Sequence, residues 1–295
     1  MTTTIEPDVK KQVRQFYDRV GWQEIGAGVY QNARYEDLRP VSQEYIHRCH
    51  LRVGRQLNPG GEYFLDAGSG PIQYPEYLEY SQGYKARVCV DISIVALQEA
   101  RQRIGDRQTG GQGLFVVADI ANLPFKPESF RGLISLHTLH HLPLDEHRQA
   151  YQELYRVLGS QTTGVVVVGW DNPGLMRFFN APIRWYNRTK KRLLHQIGRS
   201  AATIKVDRRA TPVIKGTKGT FVSKHDAAWL KNEIGVLMPV EILVWRSASV
   251  RFLRAFVHPW LAGRYLLSAL YALEERYPNF FGEHGQYPLI VIHKV

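Results

Sequence analysis

Short apolar runs alternate with helical patterns along residues 62–170. The runs predict strands, whereas apolar residues spaced three and four positions apart predict helices. Gly164–Gly169 contains no polar side chain, which is typical of a strand covered on both faces. The predicted strands are Tyr63–Ala67, Arg87–Asp91, Leu114–Ala118, Gly132–Leu136 and Gly164–Gly169, and the helices between them are Pro75–Tyr80, Ile94–Ile104 and Asp145–Leu158. This alternation predicts an α/β fold with a doubly wound, mostly parallel sheet.

Residues 1–61 precede this core and form a predicted N-terminal helical cap. Apolar positions over 7–20 repeat with helical spacing, and Gly21 is well placed to end that helix. A second helical pattern lies around Glu44 to Leu57. We therefore expect the core to begin at residue 62.

Two segments follow the core. Residues 171–238 form a predicted insertion, or lid, after the fifth strand, with Pro182 near the start of an amphipathic helix and a loop or hairpin over 199–222. Residues 239–295 supply a helix and two late strands, Val240–Trp245 and Tyr287–His293, which complete the core sheet.

A glycine turn follows the first predicted strand, in the sequence Asp66-Ala67-Gly68-Ser69-Gly70, and Asp91 ends the second strand. Glycines let the backbone approach a ligand closely, and an acid at a strand tip can accept hydrogen bonds from ribose hydroxyls. The third glycine of a dinucleotide site is absent, since Gln73 stands there. Asp66 would repel a pyrophosphate, so the pattern favours a nucleotide-like ligand that carries a cation.

Four downstream segments accompany this turn: Val116–Phe125, Ser129–Ser135, His137–Leu142 and Glu153–Leu158. Together the segments resemble class I S-adenosylmethionine-dependent methyltransferases of the small-molecule and quinone-biosynthesis type. The resemblance implies a Rossmann-like sheet with a reversed C-terminal strand and S-adenosylmethionine as cofactor. The residues that it assigns to the cofactor are Asp66, Ala67, Gly68, Ser69, Gly70, Asp91, Ile92, Asp119, Ile120 and Ser135. Ile72 departs from the pattern, because many members have a third glycine there, and Arg131 stands where an acid is usual.

Methyl transfer needs alignment more than it needs a dedicated catalytic residue. A base is needed only where the acceptor must lose a proton, and His137, just past the fourth strand, is the candidate. His140, His141 and Tyr17 are the candidate acceptor-binding residues; packing and helix-capping roles remain open for all four. No metal site is expected, because nothing near the histidines supplies a clear fourth ligand.

The formal net charge of +11 is concentrated between residues 183 and 224, which contain twelve Lys or Arg and one acid. Three interpretations remain open: a solvated lid, a surface for anionic membranes that collects a lipid-like acceptor, and a nucleic-acid surface. Nucleic acid is disfavoured, because Ser135–Thr138 lacks the motif of enzymes that methylate base amino groups.

The absence of a signal peptide and the presence of two cysteines predict a cytoplasmic protein, with the inner membrane surface as an alternative location. The expected function is methyl transfer to an oxygen, carbon or nitrogen atom of a small or amphiphilic metabolite. The alternative is a non-catalytic or RNA-directed module that binds a partner through the basic insertion.

Overall fold

In the computed structural model, which describes residues 9–26, 29–30, 36–105, 111–196 and 220–295, seven strands form one mixed sheet. Two short strands before it, β1 (Glu24–Gly26) and β2 (Val29–Tyr30), form an antiparallel hairpin. The sheet strands are β3 (Gly61–Ala67), β4 (Tyr84–Asp91), β5 (Gln112–Val117), β6 (Gly132–Leu136), β7 (Thr162–Val167), β8 (Val240–Arg246) and β9 (Tyr287–Lys294). Each strand predicted from an apolar run is present.

The strand order across the sheet is β5-β4-β3-β6-β7-β9-β8. β9 runs antiparallel to both of its neighbours, whereas β3 to β7 pair in parallel. The predicted Rossmann-like sheet with a reversed C-terminal strand is therefore confirmed. From β3 the chain moves outward through β4 and β5, then returns to β6 on the other side of β3. Ligands of such sheets bind where the order reverses, at the carboxyl ends of the strands.

Helices connect the strands and cover both faces of the sheet. The helices are α1 (Val9–Phe16), α2 (Pro40–Gly54), α3 (Pro75–Glu79), α4 (Ile94–Gly105), α5 (His147–Val157), α6 (Gly174–Gln196), α7 (Ala227–Trp229), α8 (Val250–Phe256), α9 (Gly263–Arg276) and α10 (Pro278–His284). A π-helical turn, Tyr17–Gly21, extends α1 and ends at the predicted glycine. The proline at the first position of α2 explains its start, because that position has no intrahelical N–H bond to lose.

The core has one apolar layer on each face of the sheet. Leu154 of α5 packs with Leu65 on one face, while Val53 of α2 packs with Phe64 on the other. Successive side chains of a strand point to opposite faces, so Asp66 shares a face with Phe64 and not with Leu65. This alternation decides which side chains at the end of β3 reach the site.

The predicted start of the basic helix is wrong. α6 begins at Gly174, so Pro182 lies in its interior and cannot donate a hydrogen bond to the carbonyl of Phe178. Most of the predicted loop or hairpin at 199–222 lies outside the described residues. Within the described ranges, the helices lack the combination of length and apolar character that crossing a bilayer requires.

Candidate functional site

A cavity of about 500 Å³ opens at the carboxyl ends of β3, β4, β5 and β6, where the strand order reverses. It brings together most of the residues predicted for the cofactor and the acceptor. The predicted residues on its wall are Tyr17, Gly68, Ser69, Gly70, Asp91, Ile92, Asp119, Ile120, His137, His140 and His141. The cavity is therefore the candidate active site.

The glycine turn after β3 forms the floor of one half of the cavity. Gly68 has φ 77° and Gly70 has φ 53°, a backbone conformation that glycine adopts without strain. A Cβ on Gly68 would lie 2.4 Å from Thr138 Oγ1, so this position also needs a glycine for space. The turn is held to the loop after β6, because Thr138 Oγ1 donates to the Gly68 carbonyl at 3.1 Å.

Asp91, at the end of β4, accepts two backbone hydrogen bonds. Gly70 N donates to Oδ2 at 2.9 Å, and Ser93 N donates to Oδ1 at 2.8 Å. Burial raises the pKa of Asp91 to about 6, although these two bonds oppose the shift. The carboxylate faces the cavity and retains lone pairs, so it can accept hydrogen bonds from a ligand's hydroxyl groups.

The N-terminal segment covers this half of the cavity. Tyr17 stacks on Trp22 with ring centroids 4.8 Å apart, and both rings line the wall. Among the described residues, Trp22 Nε1 is buried without a hydrogen-bond partner. A buried donor of this kind is expected to have an acceptor, and a ligand in the cavity can supply one.

Asp119 and Ile120 follow β5 on the same side of the cavity. Asp119 forms an ion pair with Lys10, which also pairs with Glu146. Asp119, one of the residues predicted for the cofactor, thus already has a cationic partner from α1. Ile120 is buried against the core and presents an apolar surface to the cavity.

Three of the predicted cofactor residues do not line the cavity: Asp66, Ala67 and Ser135. Asp66 Oδ2 instead accepts hydrogen bonds from Arg87 Nη2 at 2.5 Å and from Nε at 3.2 Å. Burial raises the pKa of Asp66, and the guanidinium opposes that shift. The alternation along β3 turns this carboxylate away from the cavity and into a buried ion pair with Arg87.

The three predicted histidines lie in the other half of the cavity. His137 has φ 57°, and its ring packs edge-on against Trp245 at 4.8 Å. Burial lowers the pKa of His137 to about 3 and that of His141 to about 4, and it places the pKa of His140 well below the usual range. All three rings are therefore neutral at neutral pH. His137 can accept a hydrogen bond there but takes up a proton only weakly.

Several other residues line the half of the cavity that contains the histidines, and no sequence pattern predicts them there. Glu36 and Arg246 form a buried pair, with Arg246 Nη1 2.6 Å from Glu36 Oε1, and Lys224 also lines the cavity. Although burial alone would raise the pKa of Glu36, the Arg246 charge holds it below its usual range. Tyr74, Tyr77 and Tyr287 complete the wall. Lys224 lies at the end of the basic segment, and no local sequence pattern distinguishes it from its basic neighbours.

Comparison with known proteins gives matches to methyltransferases. A family model described as a methyltransferase domain matches residues 65–166. The O-methyltransferase resE of Aspergillus sclerotiorum is 27% identical over 135 residues, which are 45% of this chain and 49% of that protein. The chain matches about half the length of its curated relatives.

Two solved structures share the fold over nearly the whole chain. The cyclase SpnF is 20% identical, with a TM-score of 0.55 over 97% of this chain and 96% of that chain. The geranyl diphosphate C-methyltransferase of Streptomyces coelicolor A3(2), in complex with S-adenosyl-L-homocysteine, is 12% identical, with a TM-score of 0.54 over 98% and 99% of the two chains. At such identities the likeness concerns the fold.

Proposed function

We propose that this chain, whose residues 65–166 match a family model described as a methyltransferase domain, transfers a methyl group from S-adenosylmethionine to an oxygen atom of a small or amphiphilic metabolite. One observation carries the proposal: a single cavity connects the glycine turn and Asp91 with the pocket around His137. Donor and acceptor would thus meet at the carboxyl ends of β3 and β6. The choice of oxygen over carbon or nitrogen rests on the relative described as an O-methyltransferase.

The half of the cavity beside the turn fits the cofactor. A Cβ on Gly68 would collide with the Thr138 side chain and one on Gly70 would crowd the Trp22 ring, so both positions keep the turn open, and Asp91 offers acceptor oxygens to ribose hydroxyls. Trp22 Nε1 offers a donor. Asp91 provides negative charge beside a ligand that bears an ammonium and a sulfonium.

When bound, S-adenosylmethionine supplies a methyl group already activated by the positive sulfur. The chain then has to hold the acceptor in line with that methyl and keep water away. Alignment of this kind contributes roughly 7–11 kcal/mol in well-ordered systems. Tyr17 and Trp22 cover the donor half, and the neutral His137 ring can accept a hydrogen bond from an acceptor hydroxyl.

Calorimetry with S-adenosylhomocysteine tests the site. We expect Asp91→Ala to weaken binding by at least about tenfold, because a charged hydrogen-bond acceptor is lost. Glu62→Ala is the matched control, since Glu62 is an exposed acid near the opposite end of β3. Equal affinity for all three proteins, or no binding by the wild type, would overturn the assignment. Binding without methyl transfer to any of a panel of phenols and carboxylic acids would favour the non-catalytic alternative.

The basic insertion supports a second proposal, contact with an anionic membrane that holds an amphiphilic acceptor. Phe178 and Trp185 on α6 are 73% and 69% exposed, and α6 contains no acid. Aromatic and basic side chains on one helix suit the interface of an anionic bilayer. Flotation with anionic and neutral vesicles at low and high salt tests the contact. Equal retention on both vesicle types would exclude it. A cytoplasmic location, at or near the inner membrane surface, is part of the same proposal.

A further inference from the structure

Among the described residues, Lys224 is the cavity cation that forms no ion pair with a carboxylate. Three Lys or Arg side chains line the cavity, Lys10, Lys224 and Arg246. Lys10 pairs with Asp119 and Glu146, and Arg246 pairs with Glu36. Across the described part of the chain, no carboxylate lies within 4.0 Å of the Lys224 ammonium. Asp171 acts on it only from a longer distance.

Two hydrogen bonds of the preceding residue, Ser223, hold the backbone at Lys224 in place. The Ser223 N–H donates to the His140 carbonyl at 2.8 Å, and Ser223 Oγ donates to the Leu142 carbonyl at 2.9 Å. The side chain then passes over Gly169, where a Cβ would lie 3.2 Å from Lys224 Nζ. The ammonium therefore lies just beyond β7, on the acceptor side of the cavity.

Among the described residues, Asp171 acts on the Lys224 charge from beyond 4.0 Å, whereas the histidines near the ammonium supply no negative charge. His137, His140 and His141 are each near enough for the ammonium to lower their pKa further, after burial has lowered it. Burial also lowers the pKa of Lys224, while Asp171 opposes that shift. The other wall is aromatic, with Tyr74, Tyr77 and Tyr287. A positive charge in such surroundings favours an anionic ligand with a flat apolar body.

We propose that the acceptor is an aromatic molecule with an acidic oxygen, a phenol or a carboxylic acid, and that Lys224 binds the oxygen in its anionic form. The proposal rests on the function proposed above. The acceptor releases its proton to solvent as it binds beside the ammonium. A new O–C bond then forms as the S–C bond breaks, and the electron pair of that bond stays on sulfur. The negative charge of the oxygen and the positive charge of the sulfonium cancel, so no histidine has to take a proton.

Calorimetric titration tests this without turnover. The full chain, saturated with S-adenosylhomocysteine, is titrated with 4-nitrophenol and with its neutral counterpart 4-nitroanisole; benzoate and methyl benzoate form the second pair. The two pairs separate phenols from carboxylic acids. We expect one of the two anions to bind only about tenfold more tightly than its neutral counterpart, because solvent screens the charge of the exposed Lys224 side chain. Absence of such a preference in the wild type would overturn the proposal, whatever any variant does.

Variants of Lys224 and of a control lysine test whether Lys224 supplies the charge that binds the anion. Lys224→Met should abolish the preference, Lys224→Arg should retain most of it, and Lys126→Met, an exposed lysine outside the cavity, should leave it unchanged. A preference that survives in Lys224→Met would contradict the role of this residue. The affinity for S-adenosylhomocysteine reports on the two proposals separately. Normal cofactor binding without an anion preference would contradict only the role of Lys224. Absence of cofactor binding in the wild type would contradict the proposed function itself.

Discussion

The hydroxyl of Tyr17 and Nε2 of His141 lie 2.8 Å apart, although 124 residues separate them in the chain. The other ring nitrogen of His141, Nδ1, lies 2.8 Å from the Phe221 carbonyl oxygen. A carbonyl can only accept, so Nδ1 carries the proton and the Tyr17 hydroxyl donates to Nε2. One imidazole therefore ties together the N-terminal cover, the loop after β6 and the segment that carries Lys224.

Tyr17→Phe should loosen the cover over the cofactor. The change removes one neutral hydrogen bond, about 1 kcal/mol, and leaves the stacking on Trp22 in place. We expect the dissociation constant for S-adenosylhomocysteine to rise about fivefold, mainly through faster release. Stopped-flow displacement measures this rate. Tyr265→Phe, at an exposed tyrosine outside the cavity, is the control. An unchanged release rate in Tyr17→Phe would show that the bond does not hold the cover.

Local sequence patterns predicted the part of the site that depends on strand ends. Gly68, Gly70 and Asp91 directly follow or end apolar runs, and parallel strands bring their carboxyl ends to one edge. Trp22 and Lys224 reach the same cavity from segments outside the alternating core. Their positions depend on contacts such as that between Tyr17 and His141, and no local pattern contains that information.

Cofactor affinity should depend on pH through Asp91. Its pKa of about 6 means that the carboxylate is ionised at pH 7.5 and largely protonated at pH 5. The ionised form is the stronger hydrogen-bond acceptor, so the affinity is full above pH 6 and is lost as pH falls. We expect a dissociation constant up to about tenfold higher at pH 5. Calorimetry across this range measures it. Asp91→Asn should bind weakly with little pH dependence, and the same slope in that variant would implicate another group.

The residue type of Asp66 suggests a binding role. Its side chain, however, lies on the face of β3 that turns away from the cavity. Removing its partner with Arg87→Met leaves a buried carboxylate unpaired, which should lower the free energy of unfolding by about 3–5 kcal/mol at pH 7. The variant raises the pKa of Asp66 further. Since the folded state then binds the proton more tightly than the unfolded state, the loss should shrink as pH falls.

Urea unfolding at pH 7 and pH 5 measures that loss. Asp66→Leu combined with Arg87→Met should recover most of the stability, because two apolar groups replace the pair. Cofactor affinity in this double variant separates the two roles of Asp66. Loss of affinity for S-adenosylhomocysteine in a folded double variant would show that Asp66 contributes to cofactor binding.

Ile72 and Ala262 share a left-handed backbone conformation, with φ 56° and 52°, but differ in burial. Ile72 is 1% exposed and packs with Cys89 and Leu97, whereas Ala262 is exposed before α9. Glycine relieves about 1–2 kcal/mol of strain at either position, but at position 72 it also removes a buried side chain that contributes about 2–5 kcal/mol. Ile72→Gly should therefore lower the unfolding free energy by about 1–3 kcal/mol, and Ala262→Gly should raise it by up to about 1 kcal/mol. Urea unfolding of both variants measures the difference, and equal shifts of the same sign would show that packing around Ile72 does not offset its strain.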